Sequence, residues 1–534
     1  MIILRCAAAA IQARPNTIRL SLVILALLSC TIAYANADTV RPNILILLTD
    51  DQRPDTLTCY DSASPIRTPE IDRLASLGTL FRHAFVTTPI CCVSRASILT
   101  GRYAANHRVH NFNVPLDDEI FADSYPAHLK RSGYFTGALG KHGVGITAQV
   151  RESYDVFDAQ ATQGPRFRNY LGKRMHDAEW LTVRTLEFLD QVPAGQAFCL
   201  QVNYKEPHGT SVPAPEDDNL LESKFFQRGA TDTEAAFKMN PLRVQQGLNR
   251  WCYINEYNKD GNINPYIRQY HEKIVSVDRS VGAILEGLSS RGLAGNTVVL
   301  FLSDHGLHLG EKQLSGKWTP YEQSLRIPFI YYDPRNQERR GLENQQMVLN
   351  IDLAPTVLEL AGLAVPASMD GLSLLPLVQG QSNSWRDIFY IEHYCSPPTA
   401  PWFIPRHEGY RTEKEKFIRW VDMGHVVEEY FDLQTDTEEI NNLAGVASAE
   451  DRVEAARSRF KEWRKLNPVN YEHKLGGVPH FDSRDIDWAR FETEKPKEFA
   501  RIKAQVERLG VTWQQAVEDW EIRYTIGKNA RYWY

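Results

Sequence analysis

The sequence predicts an α/β fold in which a large, mostly parallel β-sheet is sandwiched by helices. Residues 44–48 and 298–302 are continuous apolar runs, typical of strands that are buried on both faces. A helical pattern precedes the second run, with apolar residues at Ile274, Val277, Val281, Ile284, Leu285 and Leu288. This alternation of strand and helix patterns favours parallel strands joined by helical crossovers.

Helix boundaries follow from start and stop residues along the chain. Thr68 and Pro69 predict the first turn of a short helix, and Gly78 predicts its end. A later helix is expected from about 353 to 361, because Gly362 follows it directly. Both helices lie between strand patterns, as crossover connections require.

The pattern changes after about residue 384, where a smaller C-terminal α+β subdomain is expected. Strands of an antiparallel sheet are predicted at 387–391, 417–421 and 429–432, and a charged helix at about 452–465. The predicted units are therefore a signal peptide (1–37), an N-terminal catalytic domain (38–384), this subdomain (385–475) and a C-terminal extension (476–534). Aromatic residues at the C-terminus favour an extension that packs on the body over a peripheral helix pair.

The first 37 residues indicate export. Three arginines precede an apolar stretch at 20–33, and Ala35 and Ala37 are the small residues that a cleavage site needs. We expect a signal peptide and a periplasmic or secreted protein. A lipoprotein signal that acylates Cys30 is the alternative. No other segment approaches the ~20 apolar residues of a membrane-spanning helix, so no stable membrane span is expected.

The composition excludes one class of partner and leaves another open. The 534 residues include 66 acidic and 60 basic side chains and carry a net charge of -6, whereas nucleic-acid-binding proteins show a basic surplus or a basic face. We therefore expect no nucleic-acid partner. An anionic substrate remains compatible with this charge, because a few well-placed Lys and Arg side chains are enough to bind one.

Acidic residues follow both buried strands at the point where each strand ends. Asp50 and Asp51 follow the first strand, and Asp304 and His305 follow the second. Because the carboxyl ends of parallel strands meet at one edge of a sheet, we expect these side chains to converge. Such a set of ligands, mostly oxygen, suits a hard divalent cation such as Ca²⁺ or Mg²⁺. A solvated turn is the alternative for either pair taken alone.

A second candidate site is the segment Cys91-Cys92-Val93-Ser94-Arg95-Ala96-Ser97-Ile98-Leu99-Thr100-Gly101-Arg102. We expect a turn followed by a helix that begins near Ser94. Cys91 then lies near a helix N-terminus, where backbone N–H groups favour an anion. Arg95 adds a planar pair of donors for a tetrahedral oxyanion. Two buried cysteines that only pack before a helix would leave Arg95 and the Thr-Gly-Arg ending unexplained.

With this segment the sequence resembles the type I sulfatases, formylglycine-dependent members of the alkaline-phosphatase superfamily. Their signature, Cys-X-Pro-Ser-Arg-X-X-X-Leu-Thr-Gly-Arg, places Cys91 at the modified position, four residues before Arg95. The segment is most similar to that of N-acetylglucosamine-6-sulfatases. Further matches, in order, are Arg41-Pro42-Asn43, Thr49-Asp50-Asp51-Gln52, Gly140-Lys141, Pro207-His208, Ser303-Asp304-His305-Gly306, Leu309-Gly310-Glu311, Lys317, Ile351-Asp352-Leu353-Ala354-Pro355-Thr356 and Tyr430-Phe431-Asp432-Leu433.

The resemblance implies an alkaline-phosphatase-like fold and a hydrolase that cleaves the sulfate ester of a sulfated carbohydrate during polysaccharide degradation. A formylglycine-generating enzyme would oxidise Cys91 to 3-oxoalanine (formylglycine), whose hydrate supplies an oxygen nucleophile. The implied metal is Ca²⁺, or alternatively Mg²⁺. Its implied ligands are Asp50, Asp51, residue 91 (Cys91 before conversion), Asp304 and His305.

The resemblance also implies roles for basic residues. Arg95, Lys141 and Lys317 would offset negative charge on the sulfuryl group, and His208 would protonate or position the leaving oxygen. His142, next to Lys141, is a further catalytic candidate. The candidates for substrate binding are Lys205 and His308, together with the loops at 107–111 and 394–402.

Four positions depart from the family pattern. Val93 stands where the family has Pro or Ala, at a position that the converting enzyme reads. The other departures are Lys141-His142-Gly143 for Lys-X-His, Lys205 for His, and His305 for the commoner Asn. Two alternative functions remain: a phosphonate or phosphate ester hydrolase of the same superfamily, and a catalytically silent polysaccharide-binding homologue if Cys91 stays unconverted.

Overall fold

The structure, a computed structural model, describes residues 41–112, 114–381, 384–395, 404–421, 426–468, 496–508 and 512–513. The expected signal peptide, Cys30, the aromatic C-terminus and most of the 394–402 loop lie outside the described residues. Within the described ranges, no helix is long and apolar enough to cross a membrane. The expectations about export, domain boundaries and the extension stay predictions.

An eight-stranded, mostly parallel sheet forms the centre of the larger domain, as predicted. Its strands in spatial order are β12 (Leu342–Leu349), β2 (Thr79–Phe85), β11 (Phe329–Tyr332), β8 (Thr297–Ser303), β1 (Asn43–Asp50), β7 (Phe198–Pro207), β3 (Phe135–Lys141) and β4 (Val156–Gln160). β11 runs antiparallel to both neighbours, and the other pairs are parallel. Two-stranded ribbons are formed by β5 (Phe167–Tyr170) with β6 (Lys173–His176) and by β9 (His308–Leu309) with β10 (Ser315–Gly316).

The α-helices of the described residues are numbered along the chain. They are α1 (Pro69–Leu77), α2 (Cys91–Thr100), α3 (Ala104–His107), α4 (Asp118–Ala122), α5 (Tyr125–Arg131), α6 (Ala148–Glu152), α7 (Asp177–Gln191), α8 (Glu234–Lys238), α9 (Leu242–Gln245), α10 (Leu248–Cys252), α11 (Asn264–Ser290), α12 (Glu322–Leu325), α13 (Leu353–Leu360), α14 (Leu375–Val378), α15 (Glu450–Leu466) and α16 (Pro496–Arg508). α1 and α13 agree with the predicted helices to within a residue at each end.

Helices cover both faces of the large sheet, which explains the continuous apolar run of β1. Even-numbered residues of β1, such as Ile46, share a core with residues of α2, α5 and α13. Odd-numbered residues, such as Leu47, share a second core with residues of α1, α7 and α11. Because successive strand residues point to opposite faces, a strand between two helical layers must be apolar at every position.

The C-terminal subdomain is an antiparallel sheet with one helix, as predicted. Its strands in order are β13 (Ile388–His393), β14 (His407–Thr412), β15 (Glu415–Trp420) and β16 (Val427–Asp432). One face of this sheet packs against α15 through residues such as Phe417 and Phe460. The opposite face packs against the larger domain, where Trp420 and Phe431 share a core with Leu314 and Tyr321.

Candidate active site

The predicted site residues converge at the carboxyl end of the central strands. β1 and β8 are parallel neighbours, and Thr49 pairs with Ser303, so the residues that follow both strands are adjacent. Asp51 turns with a left-handed φ of 71°, and its backbone N–H donates to Oδ1 of Asp304 at 3.2 Å. The N-terminus of α2 brings Cys91 to the same place. α2 begins at Cys91 rather than near Ser94, so the turn predicted for this segment is the first turn of the helix.

Four residues form a candidate metal centre. One ligand atom from each of Asp50, Asp51, Asp304 and His305 lies within 4.8 Å of the others, and all four residues are buried. Oδ1 of Asp50 and Nε2 of His305 have no hydrogen-bond partner, although both are buried. Buried polar atoms without a partner are rare in folded proteins because they are costly. A divalent cation would supply the missing partner, so these residues fit one.

A basic side chain lies against each of the three carboxylates. The Lys141 ammonium donates to Asp50, the Lys317 ammonium donates to Oδ1 of Asp51 at 2.7 Å, and Nε of Arg95 donates to Oδ2 of Asp304 at 2.8 Å. Three positive and three negative groups therefore balance in a buried space. Burial acts to raise the pKa of Asp50, but the nearby positive charges, with Lys141 foremost, outweigh it and hold that pKa well below its usual range.

The two adjacent cysteines have opposite environments. Sγ of Cys91 lies 3.9 Å from the Lys317 ammonium. Burial acts to raise the pKa of the Cys91 thiol, but the charges of Lys141 and Lys317 outweigh it and lower that pKa to about 7. Cys92 packs in an apolar cluster with Val93 and Tyr394, and burial raises the pKa of its thiol well above the ordinary value. Cys91 alone of this pair belongs to the charged site.

The guanidinium of Arg95 forms hydrogen bonds within the protein. It does not present a free pair of donors for an oxyanion. Besides Asp304, its guanidinium donates to the carbonyl of Lys141 and, at 3.3 Å, to Oδ1 of Asn203. Its Nη2 atom is buried without a hydrogen-bond partner. Gly143 makes room for this side chain, since a Cβ atom there would lie 2.3 Å from Cδ of Arg95. Gly143 stands where the family pattern Lys-X-His has its His. The absence of a side chain there thus leaves the space that the Arg95 side chain occupies.

His208 lies at the more exposed side of the site. Its Nε2 atom is 3.8 Å from Oδ2 of Asp51, and its Nδ1 atom accepts a hydrogen bond from the backbone N–H of Thr210 at 3.2 Å. Nε2 therefore carries the proton of the neutral ring. Burial lowers the pKa of His208 to about 3 against the opposing effect of Asp51, so the ring is neutral near pH 7.

Three predicted residues lie apart from the metal centre. The His142 ring packs edge-on against Tyr154 and Phe157, with centroid distances of 6.5 and 5.7 Å, because it follows Lys141 and points the other way. The Lys205 ammonium donates to the Pro165 carbonyl and lies 3.6 Å from Asp177. His308 is fully buried, and its Nε2 atom shares a 2.8 Å hydrogen bond with Thr319.

Two residues that the sequence patterns do not reveal support the site. Asn249 of α10 donates from its side-chain amide to the carbonyls of Ser315 and Lys317, at 2.8 and 2.6 Å. The Lys273 ammonium donates to the carbonyl of His208 at 3.2 Å. Both contacts join segments that are more than sixty residues apart. Neither belongs to a short motif, so no local signal could have identified them.

The loops that were candidates for sugar recognition are described in part. His107 is buried behind α2, where its Nε2 atom shares a 3.0 Å hydrogen bond with Ser97. The thiol of Cys395 donates to Oδ1 of Asn111 at 3.2 Å, which ties the two loops together. Residues 396–402 lie outside the described residues. A role for either loop in binding a sugar stays a prediction.

Two family models match overlapping parts of the chain. The sulfatase family model matches residues 42–363, which is more than half of the chain. A model described as N-sulphoglucosamine sulphohydrolase, C-terminal, matches residues 310–465. An N-acetylglucosamine-6-O-sulfatase of Bacteroides thetaiotaomicron is 26% identical over 523 residues, which cover 85% of this chain and 91% of the relative.

Two solved structures share the fold. One is a protein in complex with its substrate, D-glucosamine-2-N,6-O-disulfate; it has a TM-score of 0.68 and 24% identity, and covers 80% of this chain and 98% of its own. The other is a phosphonate monoester hydrolase of Agrobacterium radiobacter, with a TM-score of 0.67, 22% identity, and coverage of 80% and 96%. Both confirm the predicted fold class.

Proposed function

Because the chain belongs to the sulfatase family, and is therefore a sulfuric ester hydrolase, we propose that it cleaves the sulfate ester of a sulfated carbohydrate. In this proposal Cys91 is converted to formylglycine, and a divalent cation, Ca²⁺ before Mg²⁺, is bound beside it. One observation carries the proposal. The side chain of residue 91 lies at a helix N-terminus, beside a buried ammonium group and a set of convergent metal-ligand atoms.

The residues of the candidate metal centre fit a hard cation. Asp50, Asp51 and Asp304 offer oxygen ligands and His305 offers one nitrogen. A bound divalent cation polarises a sulfate oxygen and offsets its negative charge. The three carboxylates already balance Arg95, Lys141 and Lys317. A cation therefore leaves the site with net positive charge, which attracts an anionic ester.

The side chains of the protein hold and orient the reacting groups. Formylglycine at position 91 supplies, as its hydrate, the oxygen nucleophile. Lys317, 3.9 Å from the present sulfur, is within reach of a group on residue 91 and of a sulfate oxygen. Lys141 fixes Asp50, and Arg95 fixes Asp304. His208 presents its Nε2–H to the site, where the neutral ring can donate a hydrogen bond to the leaving oxygen and position it.

The substrate class is supported by the relatives and by the segment around Cys91. The Bacteroides relative is named an N-acetylglucosamine-6-O-sulfatase, and it aligns over 85% of this chain. We propose 6-sulfated N-acetylglucosamine as the first compound to test. We further propose that the protein is exported and takes part in polysaccharide degradation, since residues 1–37 have the pattern of a signal peptide. A formylglycine-generating enzyme is then a required partner.

The proposal is tested by mass spectrometry of the Cys91 peptide from the native host, combined with sulfate release from a panel of sulfated mono- and oligosaccharides. We expect the aldehyde or its hydrate at position 91. Cys91→Ala is expected to lower kcat by at least about 10⁴-fold, because it removes the nucleophile. Cys92→Ala is the matched control, and its kcat should stay close to that of the unchanged protein.

Each alternative has its own outcome in the same experiment. A wholly unmodified Cys91 thiol with no sulfate release would contradict the proposal and favour a silent polysaccharide-binding homologue. Faster turnover of an aryl phosphonate than of an aryl sulfate would favour a phosphonate ester hydrolase of the same superfamily.

A further inference from the structure

We propose that the chain, before Cys91 is converted, binds Zn²⁺ through Asp50, Cys91 and His305. We further propose that conversion of Cys91 replaces this site by one that selects Ca²⁺ or Mg²⁺. The second statement rests on the proposed function, whereas the first concerns the thiol form of the chain and stands independently of it.

The geometry supplies a three-ligand site. One ligand atom from each of Asp50, Cys91 and His305 lies within 4.8 Å of the other two, and all three residues are buried. In a tetrahedral Zn²⁺ site the ligand atoms are roughly 3.4–3.6 Å apart, as bond lengths of about 2.0–2.3 Å require. The three atoms therefore need to approach one another by at most little more than about 1 Å.

The ligand atoms are prepared for a cation by their other contacts. Nδ1 of His305 donates to the carbonyl of Gly306 at 3.0 Å, so Nε2 is the atom that remains for a metal. Nε2 is buried and forms no hydrogen bond, although it lies 3.4 Å from Oδ1 of Asp304. One oxygen of Asp50 accepts from Lys141, while its other oxygen, Oδ1, is buried without a partner. The residues that carry the unpartnered nitrogen and oxygen thus belong to the same trio as Cys91.

The choice of metal follows from the ligand types. A thiolate, an imidazole nitrogen and a carboxylate oxygen are ligands of Zn²⁺, whereas Ca²⁺ and Mg²⁺ take oxygen. The thiolate also adds a fourth negative charge to the three carboxylates, against Arg95, Lys141 and Lys317. Conversion to formylglycine is a two-electron oxidation that consumes an external oxidant such as O₂, breaks the C–S bond, forms the aldehyde C=O and releases the sulfur as sulfide, so it removes both the sulfur ligand and this charge. What remains is a set of oxygen ligands with the single nitrogen of His305, which favours the harder cations.

The test uses the full chain with Cys91 verified as a thiol by mass spectrometry. Co²⁺ serves as the spectroscopic probe, because Co²⁺ bound to a thiolate gives a charge-transfer absorption band. Zn²⁺ affinity is measured by competition with a chromophoric chelator. We expect the band in the unchanged thiol form and its loss in Cys91→Ser. We also expect Zn²⁺ affinity to fall by about 100-fold or more in Cys91→Ser, since losing a residue that only orients a ligand already costs about 10- to 100-fold.

Two further variants test whether the effect is specific to the proposed ligands. Cys92→Ser, one residue away in the apolar cluster, should retain both the band and the Zn²⁺ affinity. His305→Asn should lower Zn²⁺ affinity while the converted protein keeps its Ca²⁺ affinity. A thiol form that shows no band, or a Cys91→Ser variant that binds Zn²⁺ as tightly as the unchanged chain, overturns the inference.

The outcomes separate this inference from the proposed function. A converted protein that releases sulfate, together with a thiol form that binds no Zn²⁺, removes the inference and leaves the function standing. A thiol form that binds Zn²⁺ through Cys91, together with a converted protein that releases no sulfate, removes the proposed function and leaves the inference standing.

Discussion

Two buried clusters of charged residues lie on either side of the loop that carries Lys317, here called the Lys317 loop (residues 310–321). The first is the candidate active site. The second, the interface network, joins this loop and its flanking residues to the C-terminal sheet and consists of Lys312, Glu322, Lys416, Glu429 and Glu439. Lys416 lies 2.5 Å from Glu439 and 2.9 Å from Glu322, and Glu429 accepts from Trp420 and Tyr321 at 2.7 and 3.1 Å.

The clusters differ in where their atoms without a hydrogen-bond partner lie. In the interface network, Oε1 of Glu439 forms no hydrogen bond but lies 2.5 Å from the Lys416 ammonium. In the interface network, each carboxylate lies against a lysine or accepts hydrogen bonds from aromatic side chains. In the active site, Asp50 and His305 each have a buried atom without a hydrogen-bond partner, and both residues belong to one set of convergent ligand atoms. Burial of charge is thus common to a structural and a catalytic cluster. Convergent atoms without partners distinguish the cluster that is built for a ligand.

The largest expected effect belongs to the interface network and is an effect on stability. Lys416→Met leaves the buried carboxylate of Glu439 without its ammonium partner and leaves Glu322 paired with Arg411, so the free energy of unfolding should fall by about 3–5 kcal/mol. The value of kcat per folded molecule should change far less than in Lys317→Met, although Lys416 also donates to the carbonyl of Pro320 in the Lys317 loop at 3.0 Å. Denaturant unfolding and active-site titration measure the two quantities. Lys465→Met, which removes an exposed pair with Glu462, is the control and should cost less than about 1 kcal/mol.

Removing a charge from the active site should give the opposite result. Lys317→Met is expected to lower kcat by about 10²- to 10³-fold, as loss of a group that stabilises transition-state charge does. Its free energy of unfolding should change much less than that of Lys416→Met, because a bound cation still partners Asp51. Steady-state kinetics and unfolding in the presence of Ca²⁺ test both. If Lys317→Met lowered the free energy of unfolding as much as Lys416→Met does, the two clusters would not differ in the way described.

Asn249 holds the backbone of the Lys317 loop from the side of α10. Through this loop it is linked to both the active site and the interface network. Asn249→Ala removes the donors to the carbonyls of Ser315 and Lys317 and should lower kcat by about tenfold, with KM nearly unchanged. Asn255→Ala removes a hydrogen bond to Trp251 in the same part of the chain and is the matched control. Equal kcat values for the two variants would mean that Asn249 does not position Lys317.

The smallest effect concerns His142, which sits outside the metal centre. Burial lowers the pKa of His142 to about 4, below the ~6.5 of an unfolded chain. Between these values the unfolded state binds more protons, so this contribution to stability is fully present above pH 6.5 and is lost as the pH falls towards 4. His142→Phe should therefore make the acid-side decline in unfolding free energy shallower. A large loss of kcat at pH 7 in the folded variant would assign His142 to catalysis instead.

The ends of the central strands could be predicted from the sequence because burial on both faces leaves a continuous apolar run, and the acidic residues mark where it stops. The sequence predicts the start of α2 three residues late, since neither Cys91 nor Cys92 is a helix signal by itself. It does not predict β14, because this strand is rich in polar residues, such as His407, Glu408 and Arg411. These side chains are buried by contacts with distant segments that no local pattern records.

The orientation of the site residues depends on contacts between distant segments, which no local pattern in the sequence contains. Lys141 faces the site, whereas His142 does not. This difference follows from the register of β3 beside β7. That Nε2 of His305 is the available atom follows from a single carbonyl, that of Gly306. The types of residue could therefore be predicted, whereas their directions required the fold.

The pairing of β1 with β8 can form only after both strands have been synthesised, which imposes a delay on the newly made chain. Arg95 and Asp304 are 209 residues apart. At about 5–20 residues per second, the ribosome needs roughly 10–40 s to make that stretch. During this interval the segment around Cys91 has been synthesised but its neighbours from β8 do not yet exist. In the proposed function, the converting enzyme would therefore meet an accessible cysteine for a limited time, and the rate of translation would help to decide how much of the protein matures.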